Sequence, residues 1–495
     1  MVEMFPHILQ QLCSLPQDWL ICEMPSGTLR KHNHHFLELT EKFYSQLTAF
    51  APRSTPPKII LAEREPVRFL AGFLAACATN SSVFLCNPNW VDWEWQQVFE
   101  LVQPDIIWGM EKQQFQNAKK LENFHPFPCF SAIMIPTSGS SGKIKFAVHS
   151  WETLTASVRG FQEYFQLQQV NSFCVLPLYH VSGLMQFLRC FITGGQLVIY
   201  PWKKLESGDV INIQTSNFFL SLVPTQLQRL LANFDVTSWL AGFQTVLLGG
   251  APAAKELLEK ARHHRIPLAI TYGMTETASQ IATLKPDDFL NGKDNCGRIL
   301  PHAYITIGNE QGEVLPANEC GNIIIAAKSL AFGYYPFQTA GGKAEAGNFY
   351  FNFSSLGKTA RSASTVRLFH TDDIGFLDEE GYLHVVGRSS DKIITGGENI
   401  YPLEIESAIR ATATVIDVCV LGIPDKRWGQ AIAAIYIPKN ADIFPLEIQS
   451  LLQDKLSKIK IPKYWIPVQT LPRNSQGKIN RLQLQQLAQE YLQQY

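Results

Sequence analysis

The sequence lacks an apolar run long enough to cross a bilayer. The longest near its start, Phe69–Ala78, is about half of the ~20 residues a spanning helix needs, so it is expected to be a buried helix. It also lacks a CxxC pair: the ten cysteines, among them Cys77, Cys86, Cys190 and Cys419, are scattered, which removes the usual spacing of a structural zinc site. With no secretory leader recognised, reduced thiols and a cytoplasmic location are expected. The formal net charge of −1 supplies no basic field for nucleic acid or anionic lipid. The cluster His32-Asn33-His34-His35 is read as a solvated polar segment and not as a metal site.

What is present is the composition of a packed chain. Hydrophobic residues make up 46% and charged residues 17%, the balance of a globular protein and not of a disordered one. A length of 495 residues exceeds one hydrophobic core, so several folding units with at least one smaller appended domain are expected. From Ile59 to Ile305 short β-rich runs alternate with helical stretches: Lys58–Leu61, Ser82–Cys86, Ile106–Trp108, Ala132–Ile135, Phe173–Leu176, Gln196–Tyr200, Phe218–Val223, Thr245–Leu248 and Pro267–Thr271. That rhythm predicts an α/β fold of largely buried, mostly parallel strands, with ligand-binding turns at their C-terminal ends. Between Tyr304 and Val386 the pattern turns β-rich, with hairpins expected in YITIGNEQGEVL and GNIIIAAKSLAFGYY and a loop over Gly341–Ser364. A compact α+β unit follows, and the boundary is placed at Ser389-Ser390, giving domains 1–388 and 389–495.

Four segments carry chemistry. PTSGSSGKIKF, Pro136–Phe146, follows a buried strand; its small residues let backbone N–H groups converge on an anion, and Lys145 adds a point charge. The spacing is not that of the P-loop GxxxxGK[ST], and a flexible surface turn is the competing reading. TYGMTETASQIAT, Thr271–Thr283, joins Tyr272, hydroxyls at Thr275 and Thr277, and Glu276, a carboxylate suited to Mg²⁺; an ordinary Thr-rich turn is the alternative. Before it, LLGGAP places Gly249, Gly250 and Ala251 after a strand, where a flat ligand can approach the backbone. In FHTDDIGFLDEEGYLHVVGRSSDKIITGGENIYPLEIE, Asp373 and Arg388 flank a predicted hairpin, either as an ion pair or as a ribose-binding carboxylate beside a guanidinium. The fourth, LPRNSQGKINR, sets Lys478 on a Gly-containing turn.

In this order and at these separations the four segments resemble the adenylate-forming superfamily of acyl-CoA synthetases, acyl-AMP ligases and luciferases, over nearly the whole chain. The resemblance implies a large N-terminal adenylation domain of mixed and parallel sheets with a β-rich subdomain, and a small mobile α+β C-terminal domain. It implies ATP, Mg²⁺ and CoA as cofactor and co-substrates. Thr137, Ser138, Gly139, Ser140, Ser141, Gly142 and Lys145 would form the phosphate loop, and Glu276 would be the Mg²⁺-linked carboxylate. Gly249, Gly250, Ala251, Tyr272, Gly273 and Thr275 would line the nucleotide, with Tyr272 packing on adenine and Asp373 and Arg388 on ribose and phosphate. Lys478 would stabilise charge during adenylation; Gly396 and Gly397 would come near the thiol tunnel after the small domain rotates. Three positions depart from the pattern: Ile144-Lys145-Phe146 stands for Pro-Lys-Gly, Thr371-Asp372-Asp373 for Thr-Gly-Asp, and Ser390 for the hinge Asp or Lys.

The acid is read from LPLYHVSGLMQFLRCFITGG, Leu176–Gly195, an apolar stretch with one cation, Arg189. Buried, that guanidinium needs an anionic or carbonyl partner; an internal salt bridge and a snorkelling side chain are the alternatives to a substrate carboxylate. With SLVPTQLQRLL and ETASQIAT, the stretch resembles members of the superfamily that act on an aromatic diacid. That resemblance implies Arg189, Ser182 and Ser221 at the second carboxylate, Leu184 and Ile281 around the ring, and His180 near the reacting acyl group. A different acyl-CoA synthetase, a ligase that loads a carrier protein, and a silent adenylate-binding scaffold are the competing functions. Oligomeric state stays open.

Overall fold

The computed structural model describes residues 4–23, 29–49, 57–110, 132–138, 144–335, 338–340, 343–345, 349–352, 366–395, 398–425, 428–440, 443–453, 455–473 and 479–493. Two large sheets dominate the first part of the chain. A six-stranded sheet runs in the order Tyr334–Tyr335, Ile144–His149, Ile133–Ser138, Ser82–Leu85, Lys58–Leu61, Ile106–Trp108. Its last four strands are parallel, as the apolar runs predict, but Ile133–Ser138 and Ile144–His149 pair antiparallel, so the Ser/Gly-rich segment joins two arms of a hairpin. A nine-stranded sheet has a parallel block, Asn171–Cys174, Phe218–Leu222, Thr245–Leu248 and Leu268–Met274, closed by the antiparallel strand Ser279–Thr283.

The helix Pro66–Ala78 contains the apolar run and is buried almost all round. Glu65 caps it, accepting from the N–H groups of Val67 and Arg68, and Pro66 occupies the first turn, where a missing N–H costs nothing. With Val181–Thr193 it packs in one core that takes side chains from both sheets, including Ile59, Leu85, Ile135, Cys174 and Leu197. A helix apolar on every face fits only such an interior site.

The β-rich region departs from the sequence reading in its pairings. Ala303–Gly308 pairs with Gly321–Ala327, while the far arm of the first expected hairpin is reduced to a bridge between Gly308 and Val314. Tyr334–Tyr335 does not fold back on Gly321–Ala327; it leaves for the six-stranded sheet and pairs with Phe146 and Ala147. Part of the expected loop over 341–364 is strand, at Lys343–Glu345 and Phe349–Asn352; its other residues lie outside the described ones. Val366–Leu377 pairs with Leu383–Arg388, which sets Asp373 opposite Arg388. From Ile393 on, a five-stranded sheet of Ile393–Thr395, Glu398–Ile400, Val415–Asp425, Gly429–Pro438 and Tyr464–Pro467 packs with helices Pro402–Arg410 and Pro445–Leu452. Among the described residues no helix is long and apolar enough to cross a membrane.

Candidate active site

Thr137 and Lys145 are cross-strand partners at the open end of the hairpin, and Ser138 faces Ile144. Gly139, Ser140, Ser141 and Gly142 lie outside the described residues, as do Gly396, Gly397 and Lys478. The Lys145 ammonium sits 5.5 Å from the centre of the Tyr334 ring, and the Tyr334 hydroxyl donates to Glu276 Oε1. The crossing strand therefore links the lysine of the loop to the carboxylate of the second motif. Burial and the Glu276 charge push the Tyr334 hydroxyl far above the ordinary tyrosine range, so it remains a donor.

Glu276 is 8% exposed and rides on a single turn of 3₁₀ helix, Thr275–Thr277. The preceding strand bulges at Gly273, where an added Cβ would lie 2.2 Å from the Ser279 carbonyl oxygen. The chain then reverses through Ala278 and Ser279 at φ 53° and 96°, left-handed values that non-glycine residues rarely take. Neighbours hold this turn by its carbonyls: His149 at Thr275, the Ala331 N–H at Glu276, and the Ser157 hydroxyl at Ala278.

Asp373 is the centre of a second cluster. Its Oδ2 accepts from the Tyr272 hydroxyl at 2.7 Å and its Oδ1 from Arg388 Nε at 3.2 Å. Tyr272 is buried in the core with Ile281 and Ile305, whereas the Arg388 side chain is 56% exposed, so the cluster reaches from core to surface. Gly249 and Gly250 follow the strand Thr245–Leu248 as expected, and the structure gives the first a packing reason and the second a conformational one. A Cβ on Gly249 would come within 2.3 Å of Thr271 Oγ1, and Gly250 has φ +83°. Ala251 is exposed beside them.

Arg189 is 2% exposed with no carboxylate partner among the described residues. Its Nη2 donates to Ser279 Oγ at 3.1 Å and to Gln280 Oε1 at 2.8 Å, its guanidinium lies 4.0 Å from the Phe161 ring centre, and its Nε has no acceptor. Burial lowers its pKa to about 10. Among the described residues neither alternative to a substrate carboxylate, an internal salt bridge or a snorkelling side chain, is found.

The other acid-site expectations fare differently. Ser182 is exposed in the first turn of the helix and Ser221 is half-buried in its strand; neither bonds to Arg189. Leu184 and Ile281 are fully buried, in two different hydrophobic clusters. His180 precedes the helix Val181–Thr193 with its ring 4.6 Å from that of Tyr179. Ser279 and Gln280 lie within ETASQIAT but carry no local signal of their own, and nothing local in the sequence marks Phe161 or Tyr334.

His302 borders this region, its ring pressed on the helix Trp151–Phe165 where Gly160 leaves room; a Cβ there would meet Nδ1 at 1.8 Å. Both ring nitrogens are buried with no hydrogen-bond partner among the described residues. Burial first, then the charges of Arg189 and Lys328, hold its pKa down to about 4. The folded state keeps the ring neutral while the unfolded chain binds a proton below about 6.5, so stability falls as pH drops from 6.5 towards 4. His302→Phe is expected to flatten that slope by about one proton in urea melts across pH 7.5 to 4.5.

Two of the departures noted in the sequence meet at the linker between Leu383–Arg388 and Ile393–Thr395: Ser390 lies in it, and Asp372 reaches it from the strand Val366–Leu377. Asp372 accepts from the Ser390 N–H at 3.0 Å and from the Ser390 hydroxyl, and its carbonyl accepts from the Ser389 N–H at 2.7 Å. The next residue, Asp391, pairs instead with Arg481 at 3.2 Å, and Arg481 also reaches the Val420 carbonyl and Glu406. Asp372→Gly is expected to quicken proteolytic cleavage at 389–392 by about 2- to 5-fold, the scale of an exposed polar contact. An unchanged cleavage rate would show that Asp372 does not restrain the linker.

A buried carboxylate beside a lysine-bearing hairpin, joined to a Tyr–Asp–Arg cluster across two sheets, is an arrangement suited to a nucleotide. The model of the AMP-binding enzyme family matches residues 128–335, and that of the AMP-binding enzyme C-terminal domain matches residues 404–478. The chain belongs to the AMP-binding enzymes. It is similar to the 2-succinylbenzoate–CoA ligase of Listeria monocytogenes, 35% identical over 360 residues covering 72% of this chain and 70% of that protein. The ligase of the same name from a Geobacillus species is 33% identical over 74% of this chain and 71% of its own. Among solved structures, o-succinylbenzoate CoA synthetase of Bacillus subtilis, in complex with its acyl-adenylate intermediate, superposes with TM-score 0.77 and 24% identity, covering 96% of this chain and 97% of that one. ATP-bound MatB of Rhodopseudomonas palustris gives TM-score 0.79 and 21% identity over 98% of each chain. These two likenesses establish the fold.

Proposed function

We infer that the chain is an ATP-dependent 2-succinylbenzoate–CoA ligase acting through an acyl-adenylate, an activity of menaquinone and phylloquinone biosynthesis, in the cytoplasm. The observation that carries the choice of acid is Arg189, a buried cation whose neighbours are neutral. A diacid leaves one carboxylate free to meet it while the other is activated. The similarity to ligases of that name supports the same reading.

In the first half-reaction the succinyl carboxylate attacks the α-phosphorus of ATP and the bond to the bridging oxygen breaks, releasing diphosphate. In the second, the CoA sulfur attacks the acyl carbonyl and the bond to the phosphate oxygen breaks, releasing AMP and the thiol proton. Thr137–Lys145 would grip the phosphates, and Lys478 would stabilise the charge that builds during the first step. Tyr272, Asp373 and Arg388 would bind adenosine, with Gly249, Gly250, Ala251, Gly273 and Thr275 along it. Gly396 and Gly397 would approach the thiol and His180 the acyl group.

Glu276 fits a Mg²⁺ site: it is a buried oxygen donor whose Oε1 is taken by Tyr334, while Oε2 accepts no hydrogen bond among the described residues. Mg²⁺ bound there would neutralise phosphate charge. We place the domain division at 388/389, since the described strands after it pair only with one another.

The test is a panel of acids with ATP and CoA. Formation of free acyl-CoA from 2-succinylbenzoate, with little from benzoate or medium-chain fatty acids, is expected. ATP–diphosphate exchange without free thioester would favour carrier loading, and no exchange with any acid would overturn the enzyme reading. Lys478→Ala should suppress exchange by about 100-fold or more yet still convert preformed acyl-adenylate to thioester.

A further inference from the structure

We propose that His149 is a positioning residue that fixes the Glu276 turn against the strand carrying the phosphate loop. This rests on the proposed role of Glu276 and the loop in binding MgATP. His149 ends the strand Ile144–His149, whose first residues leave the Ser/Gly-rich segment, and its side chain is fully buried. Its Nε2 lies 2.8 Å from the Thr275 carbonyl oxygen, across 126 residues of chain, and its Nδ1 lies 3.1 Å from Thr153 Oγ1. A carbonyl oxygen only accepts, so Nε2 carries the proton and donates it to the residue immediately before Glu276.

The geometry makes this more than core packing. The turn Thr275–Thr277 is not continued by a helix but runs into the left-handed pair Ala278-Ser279 and the strand Ser279–Thr283, so its position depends on what holds its carbonyls. Ala331 holds Glu276 from the segment that carries Tyr334, and Ser157 holds Ala278 from the helix Trp151–Phe165. His149 makes the hydrogen bond that ties the turn to the loop's own strand. Through Lys145, Tyr334 and Glu276 the same two elements meet again on the ligand side. A triphosphate and its cation spanning the loop and Glu276 require a fixed separation of the two. His149 and the Lys145–Tyr334–Glu276 chain close that frame at both ends.

The test is equilibrium binding to the full chain by titration calorimetry, with no acid present so that ATP is not consumed. His149→Leu, similar in bulk but without a donor, is expected to weaken MgATP by about 10-fold or more and AMP by less than about 3-fold. His149→Gln, whose amide N–H can reach the same carbonyl, should restore most of the MgATP affinity. Equal weakening of both nucleotides, or none, would overturn the proposal, as would a glutamine variant no better than leucine. Should the leucine variant fail to fold, Thr153→Val, which removes the hydroxyl facing Nδ1, should shift MgATP affinity alone in the same direction; unchanged affinity there overturns the proposal. Wild-type chain that binds no MgATP would instead defeat the nucleotide reading on which this one stands.

Discussion

Arg189→Met is expected to raise the KM for 2-succinylbenzoate by about 30-fold or more, the 2 kcal/mol upwards that truncating one partner of a buried charge pair costs. The KM for ATP should stay within about 3-fold, because the guanidinium bonds to Ser279 and Gln280 and makes no contact with Tyr272, Asp373 or Glu276 among the described residues. A sharper comparison uses 3-benzoylpropionate, which keeps the succinyl carboxylate but lacks the one on the ring. The wild type should prefer the diacid strongly and the variant should treat the two acids alike. Retained discrimination in the variant would remove Arg189 from the acid site. Stability should move the other way: a buried charge without a counter-ion is costly, so the substrate-free variant should melt at the same temperature or higher. Here function requires a locally unfavourable residue.

Glu276→Gln should lower the adenylation rate by about 100- to 1,000-fold, the range seen when one preorganised electrostatic contact to the reacting centre is lost. The amide oxygen can still accept from Tyr334, so the turn keeps its shape and only the negative charge is gone. Conversion of preformed acyl-adenylate to thioester should stay within about 3-fold of wild type, and raising Mg²⁺ should recover part of the lost rate. Equal loss in both half-reactions would mean that Glu276 acts on the fold and not on the triphosphate. Tyr334→Phe, which frees the carboxylate without removing it, should cost about 3- to 10-fold in the same assay.

The parts of the site legible in the sequence are those whose partners are brought together by local rules. Asp373 and Arg388 flank one hairpin, and the cross-strand register makes them neighbours. The buried helix and the parallel block were legible because runs of apolar residues with no polar alternation fit only the inside of a layered α/β fold. The missing partners all come from pairings between distant segments. Ser279 and Gln280 reach Arg189 because an antiparallel strand turns back at the edge of a parallel block. Tyr334 reaches Glu276 because its short strand leaves one sheet for another, and His149 reaches Thr275 across the same gap. No local periodicity encodes a change of sheet, and a lone buried histidine leaves no pattern of its own. Gly249 has a packing reason that is not legible in the sequence, since Thr271 leaves no room for a Cβ there.

The opposed bonds of Ser390 and Asp391 bear on how the last unit of the chain is attached. The chain is held on one side through Asp372 and on the other through Arg481, so the change of anchorage falls between two adjacent residues. Asp372→Gly removes the first anchor and leaves the second in place, so the slack it creates lies on one side of that joint only.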